Sequence, residues 1–598
     1  MKELLMGNEA IAMGAVAAGV QVATAYPGTP SSEILSTLAG MAEEKGFYAE
    51  WSVNEKVALE VAAGASYAGA RSMVCMKQVG LNVASDPLMS LAYIGVKGGM
   101  VVVVADDPGP HSSQTEQDTR LFARFAKLPV LDPATPEEAM AMTVYAFELS
   151  EKLRLPVILR PTTRTCHACQ DLEITGGVDR PHPASGFEKN PRWVILPGLS
   201  ARQHPWLNSQ QEEARKIFGE SQFNQLTINQ ESDAGIIACG VSCNYVFEAL
   251  QMSGLKASVL KVGTPYPLPG EPVMRLLEHC KRILVVEEQE PVVEDQVIAL
   301  AWHNNLAPVI SGKHDGMVPR EGELNVTRVK GIIDKFLGID TGGLEAEPAP
   351  ELPLRTPVMC AGCPHRASFY AFKEAVKGTD TVFTGDIGCY TLGVTAPLKA
   401  VDTCLCMGAS ITIASGLNRV EPGRRQVAFL GDSTFFHTGI PGLINAVYNR
   451  SHITVVILDN RTTAMTGHQP HPGLGRTATG SSGAGLDIAR LVEACGVEFV
   501  RQVDPYDLES AQEAAREAVK HPGPSVVIMK RDCVALARKG VPRTVNRENC
   551  LDCGTCIGGL GCPAIVISDG LPHITKNCFG CGVCASICPA GAIEEVRQ

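Results

Sequence analysis

Short apolar runs, many of them β-branched, alternate along the chain with longer stretches in which apolar residues recur at helical spacing. The pattern is clear after residue 233, where it predicts strands at Gly235–Gly240, Ala257–Val262 and Arg282–Glu287 with helices between them. Strands and helices in alternation are typical of α/β domains that are built on parallel sheets. We therefore predict an α/β fold with several doubly wound domains.

One strand–helix–strand unit is especially clear. Gln426–Leu430 is a short apolar run, Ile440–Asn449 has a helical pattern, and Ile453–Leu458 is a β-branched run. The right-handed crossover of such a unit makes its two strands parallel and close neighbours. Asp432 and Asn460 directly follow the strands, so we expect them at the carboxyl edge of the sheet, where α/β proteins bind ligands.

Composition narrows the class of protein. The chain has 598 residues, enough for about four domains, with 45% hydrophobic and 19% charged residues and a net charge of −12. Without a basic excess, nucleic acid or an anionic membrane is not an expected partner. Apolar runs such as Met100–Ala105 are far shorter than the roughly 20 residues that cross a bilayer, and the N-terminus lacks a secretory signal. These features predict a cytoplasmic protein.

The cysteines point to metal chemistry. Of 21 cysteines, eight lie in the last 49 residues, in two runs of the form Cys-x2-Cys-x2-Cys followed by a Cys-Pro pair. Soft thiolates at these spacings suit iron–sulfur clusters, and in two-cluster ferredoxins the fourth cysteine of each run binds the other cluster. We predict one [4Fe–4S] cluster on Cys550, Cys553, Cys556 and Cys588, and another on Cys578, Cys581, Cys584 and Cys562. Zinc knuckles are the alternative, which the absence of histidine ligands disfavours.

The strand–helix–strand unit resembles a thiamine diphosphate motif. That motif is GDG followed about 25–30 residues later by NN, and here the two parts are Gly431-Asp432-Ser433 and Asp459-Asn460. The side chains of Asp432 and Asn460, with a backbone carbonyl at Thr462, would bind Mg²⁺ and through it the diphosphate. Two glycine-containing turns offer free N–H groups to phosphate, and their candidate residues are Gly385, Asp386, Gly388, Gly408, Ala409 and Ser410. Ordinary turns or strand ends are the alternative.

Four further cysteines resemble the ligands of a third cluster. Cys360, Cys363, Cys389 and Cys533 match the ligands of the [4Fe–4S] cluster that lies beside thiamine in the 2-oxoacid:ferredoxin oxidoreductases. The alternative is a reactive or buried Cys-x2-Cys pair. His365, two residues after Cys363, is a candidate to line the diphosphate pocket, or else a surface histidine at the start of a helix.

The N-terminal region resembles the aminopyrimidine-binding domain of the same family. Tyr26-Pro27-Gly28-Thr29-Pro30 matches its YPxTP stretch, in which the threonine meets the substrate carboxylate. The resemblance assigns the cofactor-activating carboxylate to Glu55 rather than Glu60, against the alternative of a solvated helix residue. Arg124 is the candidate for binding the substrate carboxylate, with Arg120 as the alternative.

As a whole, the chain resembles the large subunits of the indolepyruvate:ferredoxin oxidoreductases, a branch of the 2-oxoacid:ferredoxin oxidoreductase family. The implied domains are an aminopyrimidine-binding domain at 1–232, a transketolase C-terminal-like domain at 233–340, a linker at 341–357, a diphosphate-binding domain at 358–540 and a two-cluster ferredoxin-like α+β domain at 541–598. The implied cofactors are thiamine diphosphate, Mg²⁺, two [4Fe–4S] clusters in the C-terminal domain and a third near thiamine.

The resemblance also implies a reaction. It is the oxidative decarboxylation of aryl 2-oxoacids with coenzyme A, in which ferredoxin accepts the electrons and a smaller β subunit assembles with this chain as α2β2. Pyruvate or a branched 2-oxoacid is an alternative substrate. A non-oxidative thiamine-dependent decarboxylase has no use for twelve cluster ligands, and a pure electron-transfer subunit has no use for Glu55, Asp432 and Asn460.

Overall fold

The chain divides into two units, Met1–Ala349 and Pro350–Gln598. The computed structural model describes residues 2–174, 184–339, 350–353 and 356–596. The predicted linker at 341–357 therefore lies mostly outside the described residues. Within those residues, no helix combines the length and the apolar character that crossing a membrane requires.

The first unit begins with a six-stranded sheet in which all neighbouring strands are parallel. In spatial order its strands are Tyr48–Trp51, Val22–Ala25, Ser72–Lys77, Met100–Ala105, Val157–Leu159 and Val130–Leu131. The helices of this part are Gly7–Ala17, Ser32–Lys45, Glu55–Tyr67, Gln78–Val83, Ser85–Ile94, Thr119–Ala126, Pro136–Leu153, Thr163–His167 and Pro197–Gly219. A small antiparallel pair, Lys2–Met6 with Cys169–Glu173, lies beside them.

A five-stranded sheet completes the first unit. Its spatial order is Val309–Ser311, Arg282–Val286, Ala234–Cys239, Ser258–Val262 and Gln225–Thr227, and only the last strand is antiparallel to its neighbour. The helices are Ser242–Ser253, Gly270–His279, Val292–His303 and Val326–Leu337. The three strands that the sequence predicted in this region are confirmed, with ends shifted by one residue.

The second unit has a five-stranded parallel sheet. Its spatial order is Thr381–Thr384, Arg425–Gly431, Thr454–Asp459, Ser525–Lys530 and Phe499–Val503. Its helices are Pro364–Ala375, Ala409–Val420, Asp432–Thr434, Ile440–Tyr448, Ile488–Ala494 and Leu508–Ala518, with a π-helical turn at Phe435–Gly439. The central strands have apolar middles that are buried on both faces, as expected of a sheet between two helical layers.

The C-terminal tail consists of two antiparallel strand pairs and two one-turn helices. The pairs are Arg543–Val545 with Ile593–Glu595 and Ile565–Ser568 with Leu571–Ile574, and the helices are Thr555–Gly558 and Val583–Ser586. Gly554 and Gly582 precede the helices with φ values of 67° and 80°. Glycine is favoured at both positions because left-handed backbone is strained for other residues. The α/β fold class with a ferredoxin-like α+β tail is confirmed.

Candidate functional site

Asp432 and Asn460 lie side by side at the edge of the second unit's sheet. Asp432 follows the strand Arg425–Gly431, and Asn460 follows the strand Thr454–Asp459. The two strands are parallel, hydrogen-bonded neighbours, as the sequence predicted. Both side chains are buried. We call Asp432, Asn460 and the nearby Thr462 the strand-edge site.

Nitrogen atoms of three residues are hydrogen-bonded to the carboxylate of Asp432. It accepts the N–H groups of Ser433 at 2.8 Å and Arg461 at 2.7 Å, and its Oδ2 lies 3.0 Å from Nε2 of His471. Burial opposes ionisation of Asp432, but His471 and these hydrogen bonds outweigh it and lower the pKa of the carboxyl group. The strand-edge site therefore contains one firmly ionised oxygen ligand.

Two residues of this neighbourhood were not assigned roles from the sequence. Asp459 shares a hydrogen bond with Asp432, and burial together with the charge of Asp432 raises the pKa of Asp459 to about 6. His471 lies 39 residues after Asp432 in sequence, in a region without helical or strand periodicity. No local signal links His471 to the motif, and Asp459 stands where the motif has its first Asn.

Asn460 and Thr462 add neutral oxygen atoms to the strand-edge site. Oδ1 of Asn460 accepts the N–H of Thr462 at 3.4 Å. The hydroxyl of Thr462 is buried and has no hydrogen-bond partner among the described residues. A buried polar atom without a partner is costly, so it points to a ligand that supplies one. Carboxylate, amide and hydroxyl oxygens fit a hard cation such as Mg²⁺.

His365 is buried, which excludes the alternative of a surface histidine. Its Nε2 lies 3.3 Å from Nδ2 of Asn460, and its ring packs edge-on against Tyr390 with a centroid distance of 5.8 Å. Burial lowers the pKa of His365 to about 4, although the charge of Asp432 opposes this shift. A neutral imidazole therefore lines the strand-edge site at neutral pH.

The turn at 408–410 is folded onto Asp386 instead of being open to a phosphate. The buried carboxylate of Asp386 accepts the N–H groups of Gly408 at 2.9 Å and Ser410 at 3.1 Å. The N–H of Ala409 donates to the carbonyl of Cys406. The prediction that these three N–H groups are free is therefore wrong, because a charged acceptor within the protein already satisfies two of them and a carbonyl the third.

The nearby glycines are needed for close packing within the protein. A Cβ atom at Gly388 or Gly431 would lie 2.4 Å or 2.7 Å from the ring of Tyr390. At Gly385 it would lie 2.5 Å from the side chain of Val401. These contacts explain the glycines without a ligand, and their contact with a cofactor stays a prediction.

Cys360, Cys363, Cys389 and Cys533 come together in the second unit. The thiol of Cys360 is close enough to interact electrostatically with the other three thiols. The N–H of Cys533 also donates to the backbone carbonyl of Asn460 at 3.0 Å. A backbone hydrogen bond therefore joins this four-cysteine group directly to the strand-edge site.

The eight tail cysteines surround two cavities. One cavity is lined by Cys550, Cys553, Cys556 and Cys588, and the other by Cys562, Cys578, Cys581 and Cys584. In each set three cysteines come from one run and the fourth from the other. Among the described residues, no three His, Cys, Asp or Glu side chains converge to hold a single metal ion. Four thiols around a cavity fit a [4Fe–4S] cluster, whose four cysteines bind different irons.

Arg366 links the four-cysteine group to the tail. Its Nη2 donates to the carbonyl of Met359 at 2.7 Å, and its Nη1 donates to that of Gly561 at 2.8 Å. Met359 directly precedes Cys360, and Gly561 directly precedes Cys562. Cys363 also lines the second tail cavity. The second unit thus holds the strand-edge site, the four-cysteine group and the tail cysteines in a continuous series.

In the first unit, Glu55 is the first residue of the helix Glu55–Tyr67 and is buried, with 6% of its surface exposed. Its side chain lies against Gly80, where a Cβ atom would be 2.6 Å from Oε1 of Glu55. Burial excludes the alternative of a solvated helix residue. Glu60, on the same helix, is exposed and pairs with Lys56. Thr29 lies in the loop that follows the strand Val22–Ala25.

The two candidate arginines are already engaged. Arg124 is half-exposed, and its Nη1 pairs with Asp295 at 3.1 Å. Arg120 is fully buried, with Asp118 at 2.6 Å and Glu287 at 2.7 Å. Its remaining donors reach the carbonyls of Glu288 and Glu290. Arg120 therefore ties the two sheets of the first unit together.

Comparison with known families assigns three segments of the chain. Residues 13–216 match the pyruvate flavodoxin/ferredoxin oxidoreductase thiamine diphosphate-binding family. Residues 386–529 match the C-terminal thiamine pyrophosphate-binding domain of thiamine pyrophosphate enzymes, and residues 572–594 match the 4Fe-4S binding domain. The chain is accordingly a thiamine diphosphate- and iron–sulfur-dependent oxidoreductase of the 2-oxoacid:ferredoxin type.

Full-length relatives define the family more closely. The indolepyruvate oxidoreductase subunit IorA of Methanothermobacter marburgensis is 46% identical over 99% of this chain and 97% of its own length. The protein of the same name from Pyrococcus horikoshii is 44% identical over 100% and 97%. The 2-oxoglutarate synthase subunit KorA of Methanothermobacter marburgensis is 24% identical over 47% of this chain and 87% of its own. The chain belongs to the family of indolepyruvate oxidoreductase IorA subunits.

Proposed function

We propose that this chain catalyses the oxidative decarboxylation of aryl 2-oxoacids such as indolepyruvate and phenylpyruvate. One 2-oxoacid anion and one coenzyme A give one aryl-acetyl-CoA, CO2, one proton and two electrons, and ferredoxin takes the electrons. The name shared by the full-length relatives supports the aryl substrate. The observation on which the proposal rests is the hydrogen bond from Cys533 to Asn460, because it couples a cofactor site to a group of cluster ligands.

Each part of the strand-edge site has a role in this proposal. The side chains of Asp432 and Asn460 and the carbonyl of Thr462 would bind Mg²⁺ and, through it, the diphosphate of the cofactor. Bound thiamine diphosphate supplies a nucleophilic carbon and accepts the electron pair that remains when CO2 leaves. Glu55, in the first unit, provides the buried carboxyl group that promotes deprotonation of the cofactor.

The cysteines form the electron path. We assign a [4Fe–4S] cluster to the four-cysteine group and one to each tail cavity, three clusters in all. A cluster on the four-cysteine group, which is hydrogen-bonded to Asn460, would receive electrons first, and the tail clusters would pass them on. Arg366 donates hydrogen bonds to the carbonyls of both Met359 and Gly561. It therefore fixes the distance between the loops that carry Cys360 and Cys562. A smaller β subunit completes the enzyme, and we infer the assembly α2β2. The word subunit in the relatives' names supports the partner chain.

A substrate panel tests the proposal. The chain co-expressed with its partner subunit, and reconstituted anaerobically, should reduce a viologen dye with indolepyruvate or phenylpyruvate only when coenzyme A is present. We expect kcat/KM for these substrates to exceed that for pyruvate by at least about 10-fold, since a pocket shaped for a ring discriminates by this order. Faster turnover of pyruvate or branched 2-oxoacids would overturn the aryl assignment. Release of CO2 and aldehyde without dye reduction would indicate a non-oxidative decarboxylase.

A further inference from the structure

The surroundings of Thr29 contain a cation that no predicted role uses. The strands Val22–Ala25 and Ser72–Lys77 are parallel neighbours, so the loop with Thr29 and the last residue of the second strand, Lys77, meet at one sheet edge. A Cβ atom at Gly28 would lie 3.1 Å from Cγ and Cδ of Lys77. The aliphatic part of Lys77 therefore crosses directly over the residue before Thr29.

The ammonium group of Lys77 is joined to Thr29 through one residue. Its Nζ donates to the carbonyl of Ser112 at 3.0 Å, and the hydroxyl of Ser112 donates to the carbonyl of Thr29 at 3.1 Å. An ammonium has three N–H donors, and among the described residues this carbonyl is its one hydrogen-bond acceptor. Lys77 thus has donor capacity beside Thr29 for a further oxygen ligand.

Two carboxylates interact with the ammonium group of Lys77, and burial acts against its charge. Asp107 and Glu55 are the carboxylates that interact with it, and burial lowers the pKa of the ammonium despite them. Asp107 is already held by the N–H of Ser112 at 2.8 Å and by the hydroxyl of Thr163 at 2.6 Å. The neighbouring carboxylate, Asp107, already accepts hydrogen bonds from other residues. A partly desolvated ammonium group in this setting is stabilised by the carboxylate of an incoming ligand.

We propose that Lys77 binds the carboxylate of the 2-oxoacid substrate. The inference rests on the proposed function and replaces the arginine that the sequence suggested, since Arg124 pairs with Asp295 and Arg120 is saturated by Asp118 and Glu287. In this arrangement Thr29 and Lys77 hold one end of the substrate, and Glu55 lies within electrostatic reach of the same cation.

The test is a kinetic and binding comparison of Lys77→Gln, Lys77→Arg and Lys97→Gln in the reconstituted complex. Lys97 is a matched control, because it is a lysine of the same unit that pairs with Glu188. Loss of a charge-assisted hydrogen bond should raise KM for indolepyruvate about 10- to 100-fold in Lys77→Gln, with kcat changed less than threefold. Lys77→Arg should have a KM close to the wild-type value, and Lys97→Gln should match the wild type in both KM and kcat.

Calorimetric binding of 3-phenylpropionate and its amide gives a readout without turnover. The wild type should prefer the carboxylate, Lys77→Gln should lose that preference, and Lys77→Arg should keep it. If Lys77→Gln keeps both the preference for the carboxylate and the wild-type KM, or loses only kcat, Lys77 does not bind the substrate carboxylate. In either case, turnover by the wild type would still support the proposed function. A wild-type complex that oxidises no 2-oxoacid would overturn the proposed function itself.

Discussion

Replacing Glu55 by glutamine should lower kcat of the reconstituted complex by about 100- to 10 000-fold, the range typical of a lost general acid–base group. Glutamine keeps the volume that packs against Gly80, so folding and cluster content should be unchanged. The amide cannot ionise, and the cofactor would lose the carboxyl group that promotes its deprotonation. Anaerobic dye-reduction kinetics with saturating indolepyruvate and coenzyme A measure the effect.

Glu60→Gln is the matched control for this prediction. Glu60 lies on the same helix, five residues further on, but is exposed and pairs with Lys56. The Glu60→Gln variant should keep kcat within about twofold of the wild-type value, as is usual for surface substitutions. If Glu55→Gln retained more than a third of wild-type kcat, Glu55 would not be the activating group.

Replacing Cys533 by alanine should remove one cluster of three. The wild-type chain should contain about twelve irons, four for each [4Fe–4S] cluster, and the variant about eight. Because the lost cluster lies next to Asn460, dye reduction should fall below the detection limit while the tail clusters remain. Iron and sulfide analysis after anaerobic reconstitution gives the count, and the thiamine content shows whether the strand-edge site is intact.

Cys495→Ala is the control, since Cys495 is a partly exposed cysteine of the same unit that is outside all three cysteine groups. It should keep twelve irons and full activity. Should Cys533→Ala fail to fold, Cys389→Ala tests the same cluster from another element. A wild-type chain with eight irons, or a Cys533→Ala variant that keeps twelve, contradicts the assignment of a third cluster.

Local patterns were sufficient for the parts of the site that depend on short-range order. The runs on either side of Asp432 predicted two adjacent parallel strands, because β-branched residues around a helical stretch permit few other arrangements. The spacing of the tail cysteines predicted which of them share a cavity, because the fourth cysteine of each run joins the first three of the other run. In both cases residues that function together lie within about 40 positions of each other.

The remaining parts depend on contacts that no local pattern encodes. His471 reaches Asp432 from an irregular segment, and Asp386 takes the N–H groups that the glycine turn was expected to offer. Arg120 looked available in sequence, but Glu287, 167 residues away, neutralises it. Lys77 ends an apolar strand and has no motif of its own. Its position beside Thr29 follows only from the pairing of two strands.

The central claim is that electrons from the substrate enter clusters bound by this same chain. The most direct test is freeze-quench electron paramagnetic resonance of the reconstituted complex, mixed anaerobically with indolepyruvate and coenzyme A without ferredoxin. We predict that reduced [4Fe–4S] signals appear in the wild type as fast as CO2 is released, and that they are absent in Glu55→Gln. Release of CO2 while every cluster stays oxidised would contradict the claim.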